Sequence, residues 1–398
     1  MNEHLLNTEV QNFINSNLES DVTALYLKKL TFKNVPYAKV LEQLESKQRC
    51  KKKLPTWFNT PNIIYPNKLN IEQTSSEVTA AYKADLLEGE TLIDMTGGFG
   101  VDVFYFSKRF KKVTHCEIDE DLSTSVSHNF KELHVTNVDF VIGDGLNYLK
   151  HASNRYDWLY VDPSRRHEEK GKVFLLSHCL PDLPTHLNTY FNYSDNILAK
   201  VSPMLDISQA LSELSQVREI HIIALKNEVK ELLFVMSKKY SGPIKILSIN
   251  FTSNGQQLFS FMQQEEPQAS ANYSDIQSYI YEPNSALLKS GAFQLVSETL
   301  KLNKLHKHSH LYTSENFIDF PGRTFKVNKV IPFSKKILKK EIYKAQINIS
   351  TRNFPQSVKS LKKKFKIKDG GPVYAFFTTN LNDEKVVILT ERHKKRAV

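Results

Sequence analysis

Seven short apolar runs, each giving way to a helix-like stretch, organise the middle of the chain: residues 92–95, 113–116, 138–142, 158–161, 197–199, 220–225 and 244–247. Runs this short, spaced by helical patterns, predict βαβ units and a mostly parallel sheet covered on both faces. The expected fold is therefore α/β, a Rossmann-like, doubly wound, seven-stranded sheet. The last two runs, with Phe259-Ser-Phe261 beyond them, are expected to pair antiparallel at one edge.

The flanks differ in character. Residues 2–53 repeat apolar positions at helical spacing (Val22, Leu25, Tyr26, then Val40, Leu41, Leu44). Arg49-Cys-Lys-Lys-Lys53 followed by Pro55, Pro61 and Pro66 resembles a linker-like end to that region. Polar residues 264–274 form a second expected linker. Beyond it, residues 374–378 and 386–389 predict a closing hairpin around Asn380-Leu-Asn-Asp383. The expected division is 1–72 (helical), 73–264 (the parallel sheet), 275–320 and 321–398 (two small α+β segments).

Charge divides the same way. Lys+Arg number 53 and Asp+Glu 43, a formal +10. Residues 301–398 hold 23 basic and 7 acidic residues, the other 300 hold 30 and 36, so the last quarter carries more than the whole surplus. A basic segment on a mildly acidic body points to a polyanion partner, most simply nucleic acid. Cys50, Cys116 and Cys179 are scattered, which excludes a disulfide framework and a cysteine zinc knuckle. With no membrane-length apolar run and no signal-like start, a cytoplasmic protein is expected.

The densest chemical signal is Ile93-Asp-Met-Thr-Gly97-Gly98-Phe-Gly100-Val-Asp102, a strand ending in a glycine-rich turn where a helix starts. Such turns let backbone approach a ligand closely. Glu117 closes the second strand, where a carboxylate can accept both hydroxyls of a ribose. Gly143-Asp144-Gly145 follows the third strand, where a short acid can accept from an adenine amino group, and Asp162-Pro163-Ser164-Arg165-Arg166 follows the fourth. Each stop alone is weak, since a Gly turn, an acidic helix start and an Asp-Pro are all common. Four in succession are not.

With these residues the sequence resembles the class I S-adenosylmethionine-dependent methyltransferases over about half the chain. The resemblance implies a cofactor site of Asp94, Thr96, Gly97, Gly98, Gly100, Glu117, Ile118, Asp144 and Gly145, with Asp162 and Pro163 beside the transferred methyl. More narrowly, Glu282-Pro-Asn-Ser285, Phe320-Pro-Gly-Arg323, residues 348–355 and Lys368-Asp-Gly-Gly371 resemble a bacterial methyltransferase group with a ferredoxin-like segment and a C-terminal THUMP-like domain. That likeness implies structured RNA (tRNA or rRNA) as substrate, and the basic C-terminal charge supports it independently.

Methyl transfer needs alignment and, for some acceptors, proton removal. Asp162 is the candidate for either task, with a helix-capping carboxylate as the plain alternative. Arg165, Arg166 and Lys362-Lys363-Lys364 are candidate RNA phosphate contacts, though such cations are commonly only solvated. Ser164 and Arg165 stand where exocyclic-amine methyltransferases carry a proline and a base-stacking aromatic. The setting of Cys179 does not suit a pyrimidine-attacking nucleophile. His306-Lys-His308-Ser-His310 alternates like metal ligands but lacks a completing Cys, Asp or Glu, so a basic loop and no metal are expected. Two other functions stay open: a nicotinamide-dependent oxidoreductase, against which Gly97-Gly98-Phe-Gly100 is not G-x-G-x-x-G, and a noncatalytic RNA-binding protein with a degenerate body.

Overall fold

In the computed structural model, which describes residues 3–28, 30–152, 154–165 and 175–393, a five-strand parallel core follows the expected runs closely. Its strands are β1 (Thr91–Asp94), β2 (Lys112–Glu117), β3 (Val138–Ile142), β4 (Trp158–Val161) and β5 (Asn196–Val201), in the order 3-2-1-4-5. The register pairs Leu92 with Val113 and Trp158, Val113 with Val138, and Leu159 with Ile197. The chain winds outward from β1 to β3, then returns to lay β4 against the other side of β1. The carboxyl ends of β1 and β4 therefore flank the reversal point, where open α/β sheets bind ligands.

Contacts divide the chain into two compact units, residues 1–217 with 234–240, and residues 218–233 with 241–398. In the first, short helices and α1 (Tyr37–Lys53) close around Val10, Ile14, Leu25, Val40, Leu41 and Leu44. The proline-marked stretch after α1 is not a loose connection. Trp57, Ile63, Ile64 and Tyr65 are buried within it. Gln43 brackets Tyr65, donating to its carbonyl (2.6 Å) and accepting from its N–H (2.8 Å). Asn129 does the same for Ile64, at 2.8 Å each way. Each carboxamide thereby satisfies a buried backbone donor and acceptor at once. The helices that serve the sheet are α2 (Glu77–Asp85), α3 (Val101–Ser107), α4 (Glu120–Glu132) and α5 (Gly145–His151), capped by Ser76, Gly100, Asp119 and Asp144.

The second unit holds β6 (Val217–Leu225), most of β7 (Glu228–Ser237), β8 (Lys245–Thr252) and β9 (Gly255–Met262), in the order 7-6-8-9. β7 was not among the expected strands; it follows β6 through Lys226-Asn227, both at positive φ (52° and 67°), the signature of a tight two-residue hairpin. The expected antiparallel pairing of the last two runs is corrected: β8 runs parallel to β6, and its antiparallel partner is β9. A two-residue Ser253-Asn254 turn dictates that pairing, since it leaves β9 no other direction to run.

An eight-stranded sheet completes this unit. Its order is Asn272–Tyr273, Asn303–Lys304, Tyr312–Ser314, β10 (Tyr279–Pro283), β11 (Gly322–Pro332), β14 (Lys385–Arg392), β13 (Val373–Thr379) and β12 (Asn348–Thr351). The predicted closing hairpin is β13–β14, paired from Val373↔Glu391 to Thr379↔Lys385. Helices α6 (Lys335–Ile342) and α7 (Val358–Phe365) cover one face through Leu338, Ile342, Leu361 and Phe365.

Candidate active site

At the end of β1, Asp94 is buried and its Oδ1 accepts from the Thr96 N–H (2.8 Å) and hydroxyl (3.3 Å). The Thr96 hydroxyl also accepts from the Asp162 N–H at 2.7 Å, tying the end of β1 to the end of β4. Gly97 then donates to the Cys116 carbonyl (2.8 Å) and Gly98 to Glu117 Oε2 (2.8 Å). Two of these glycines are obligatory. A Cβ at Gly97 would stand 2.3 Å from His115 Nε2, and Gly100 has φ +75° with Val126 and Phe130 within 2.9 Å of where a Cβ would sit.

Glu117, at the end of β2, accepts from Gly98 with one oxygen and from the Asp119 N–H (2.9 Å) with the other. It lies in register with Ile142 of β3. Ile142 and the neighbouring Ile118 are 53% and 71% exposed, an unusual outlay of apolar surface at two adjacent strand ends. Asp144 is exposed and caps α5, accepting from the Asn147 N–H at 2.8 Å. Gly145 is the buried first residue of that helix, against Met95.

Beneath the turn lies a network of buried charge. Asp102 on α3 pairs with Lys83 of α2 (3.1 Å) and accepts from Ser75 and Tyr160 hydroxyls at 2.8 Å each. Asp162 pairs with Lys200 at the end of β5. Burial works to raise the Asp102 carboxyl, but Lys83, Lys200, Tyr160 and Ser75 together hold it below its ordinary range. Asp94 behaves oppositely: burial drives it well above the usual carboxylate range, the Thr96 hydrogen bonds offset this only partly, and the charges of Asp102 and Asp162 add to the rise. His115, under Gly97, is pushed down to about 4 by burial, so its ring is neutral at pH 7.

Pro163 is buried after Asp162, and Ser164–Arg165 pairs antiparallel with Cys179–Leu180. Cys179 is a buried thiol. Arg166 lies outside the described residues. Lys362, Lys363 and Lys364 lie on α7 in the second unit: Lys363 and Lys364 are exposed, while Lys362 is half-buried and pairs with Asp369 at 2.6 Å. The structure thus gathers the predicted carboxylates and glycines in the first unit and places the predicted lysines in the second. Sequence reasoning missed Lys83 and Lys200. The available signal was a lone lysine inside an apolar context, Ala80-Ala-Tyr-Lys-Ala84 and Ile197-Leu-Ala-Lys200, since buried lysines are rare unless paired. Among the described residues, no group of three or more His, Cys, Asp or Glu is placed to hold a metal ion.

A glycine turn thus lies at the reversal point, with acids closing four successive strands around it, the place where open α/β sheets take a ligand. A crystal structure from Porphyromonas gingivalis W83, assigned as a methyltransferase, matches with a TM-score of 0.86 and 34% identity over 99% of this chain and 100% of that one. The chain belongs to the family of that protein. Two domain families match its C-terminal part, a ferredoxin-like domain over residues 279–321 and a THUMP domain-like family over 322–392. An uncharacterized RNA methyltransferase of Clostridium tetani is 30% identical over 102 residues, 25% of this chain and 22% of that protein. A second, from Mycoplasma mobile, is 27% identical over 99 residues, 25% of this chain and 27% of that protein. The chain spans about a quarter of the length of these curated relatives.

Proposed function

We propose that the protein is an S-adenosylmethionine-dependent methyltransferase acting on structured RNA, tRNA or rRNA. The observation that carries this is the arrangement of Asp94, Glu117, Asp144 and Asp162 at the ends of four adjacent parallel strands around Gly97 and Gly98. The site suits the cofactor. Glu117, already held by Gly98 and Asp119, keeps lone pairs for two ribose hydroxyls. Ile118 and Ile142 offer an apolar wall to an adenine, and Asp144 keeps Oδ2 for its amino group. Lys83 and Lys200 match Asp102 and Asp162, while the raised Asp94 carboxyl has no cation paired with it among the described residues, which suits a ligand bearing cationic sulfonium and ammonium groups.

When bound, S-adenosylmethionine supplies an activated methyl with a good leaving group. The chain supplies alignment. Asp162 is fixed through its N–H by Thr96 and through its carboxylate by Lys200, so its second oxygen is set to orient an N–H or O–H of the acceptor. Pro163 stiffens the turn that carries it. RNA as acceptor is supported by the basic C-terminal quarter, the THUMP-like match and the names of the curated relatives. Lys363 and Lys364 are its proposed phosphate contacts; the side chain of Arg165, like Arg166, lies outside what the structure describes. We read the chain as segments 1–72, 73–264, 275–320 and 321–398, the last two supported by the family matches. Cytoplasmic placement is part of this proposal; no described helix is long and apolar enough to cross a membrane.

Incubation with methyl-labelled cofactor and total RNA, followed by mass spectrometry of nucleosides, should place label in one nucleoside. Calorimetry should show S-adenosylhomocysteine binding and no NAD binding; binding of NAD alone would overturn the reading. Glu117→Ala should weaken S-adenosylhomocysteine about tenfold, the loss of one charge-assisted contact.

A further inference from the structure

Three of the four sequence stretches of the second unit that the methyltransferase site leaves unused converge on one buried carboxylate. Glu282, on β10, is 2% exposed. Arg323 of β11 reaches its Oε2 with Nε (2.8 Å) and Nη2, while Arg352, following β12, reaches Oε1 with Nη2 at 2.8 Å. The Ser350 hydroxyl adds a bond at 3.1 Å. Two guanidiniums therefore share one carboxylate, leaving one positive charge. Both arginine side chains remain about a third exposed, at 36% and 35%.

The surroundings deepen that surplus. Lys304 is buried, its amine donating to the Lys307 carbonyl at 3.3 Å. His310 stacks on Phe293 with ring centroids 3.7 Å apart. Burial, then Lys304, His308 and Arg352, press the His310 ring down to about 4. The nearby acids are committed. Glu266, which faces Lys304, accepts from the Phe293, Gln294 and Leu295 N–H groups, and Asp383 accepts from His306 at 3.0 Å. His306 Nδ1 accepts from the His308 N–H (3.1 Å), which leaves neither ring nitrogen for a metal. Among the described residues, Arg352 Nε and His310 Nδ1 are buried without a hydrogen-bond partner. A buried donor left unmade is costly, and a guanidinium fork suits a phosphate.

We infer that the Arg323–Glu282–Arg352 clamp, with Lys304 and His310 beside it, is a phosphate-binding site, and that its ligand is a backbone phosphate of the RNA substrate. The inference rests on the RNA reading above. A purely structural strut would account for the ion pairs, but it would not respond to an anion.

The test uses the full chain. Arg352→Gln leaves Glu282 paired with Arg323, so the buried carboxylate is not stranded. It should weaken binding of unfractionated tRNA about tenfold and reduce the slope of log Kd against log salt by about one, with the thermal midpoint kept. Lys304→Met should weaken binding likewise. Inorganic phosphate should raise the His310 titration midpoint, followed by NMR. Unchanged RNA affinity and salt slope in both variants, together with an unmoved His310 midpoint, would overturn the site while leaving the RNA reading intact. A phosphate response from His310 in a protein that binds no RNA would support the site and overturn its RNA ligand.

Discussion

The two charge clusters of this protein are near mirror images. In the first unit Asp102 and Asp162 are each paired with a lysine and the buried Asp94 lies beside them; in the second, two arginines share the single carboxylate of Glu282. The surplus in each case falls on a titratable neighbour. Asp94 is driven upward by burial, with further push from two carboxylates, and His310 is driven downward by burial, with further push from three basic side chains. A net charge of +10 describes neither place. What matters is where pairing is complete and where it stops one partner short, because an uncompensated charge inside a protein is a standing demand for a ligand of opposite sign.

The most damaging way to break this symmetry is to unpair the first cluster. Lys83→Met should lower stability in urea titrations by about 3–5 kcal/mol, since it strands Asp102 beside Ser75 and Tyr160. Acid should come next. The folded state holds His115 near 4, below the 6.5 of an ordinary histidine, so the unfolded chain binds more protons between those values. Stability should therefore fall as pH drops from about 6.5 to about 4, by roughly 3 kcal/mol, and His115→Phe should flatten that part of the profile. Asp162→Asn should lower turnover about 100-fold, a misalignment-sized effect, with S-adenosylhomocysteine affinity within about threefold of the parent; an equal loss of affinity would merge the two roles kept apart above. The smallest effect is the sharpest comparison. Added salt should raise the His310 midpoint, whose shift includes repulsion from Lys304, His308 and Arg352. The His115 midpoint, which owes its shift to burial, should stay put.

The parallel core was legible because each of its first four strands carries a short apolar run that ends in glycine or acid, a pattern few other structures produce. The residues Asp94, Glu117, Asp144 and Asp162 sit at the strand ends where the pattern put them. β7 was not legible. Glu228-Val-Lys-Glu-Leu-Leu-Phe-Val-Met-Ser237 is apolar without alternation in its second half, so periodicity alone does not separate strand from buried helix. The Pro-rich stretch misled in the opposite direction: turn residues suggested a linker, whereas Gln43 and Asn129, more than 20 residues away on either side, pin it. Long-range side-chain contacts leave no local mark. The same holds for Lys83 and Lys200, whose partners come from other elements, and for Arg323 and Arg352, which meet only because β10, β11 and β12 bring them to one carboxylate.

Thr96 carries a consequence of its own. Its hydroxyl has a single proton, given to Asp94, and a lone pair that receives the Asp162 amide. The loop that follows β1 and the loop that follows β4 therefore hang from one oxygen atom, as two doors hang from one post. The position of one loop is thereby referred to the position of the other, so the two halves of the crevice share a single point of registration.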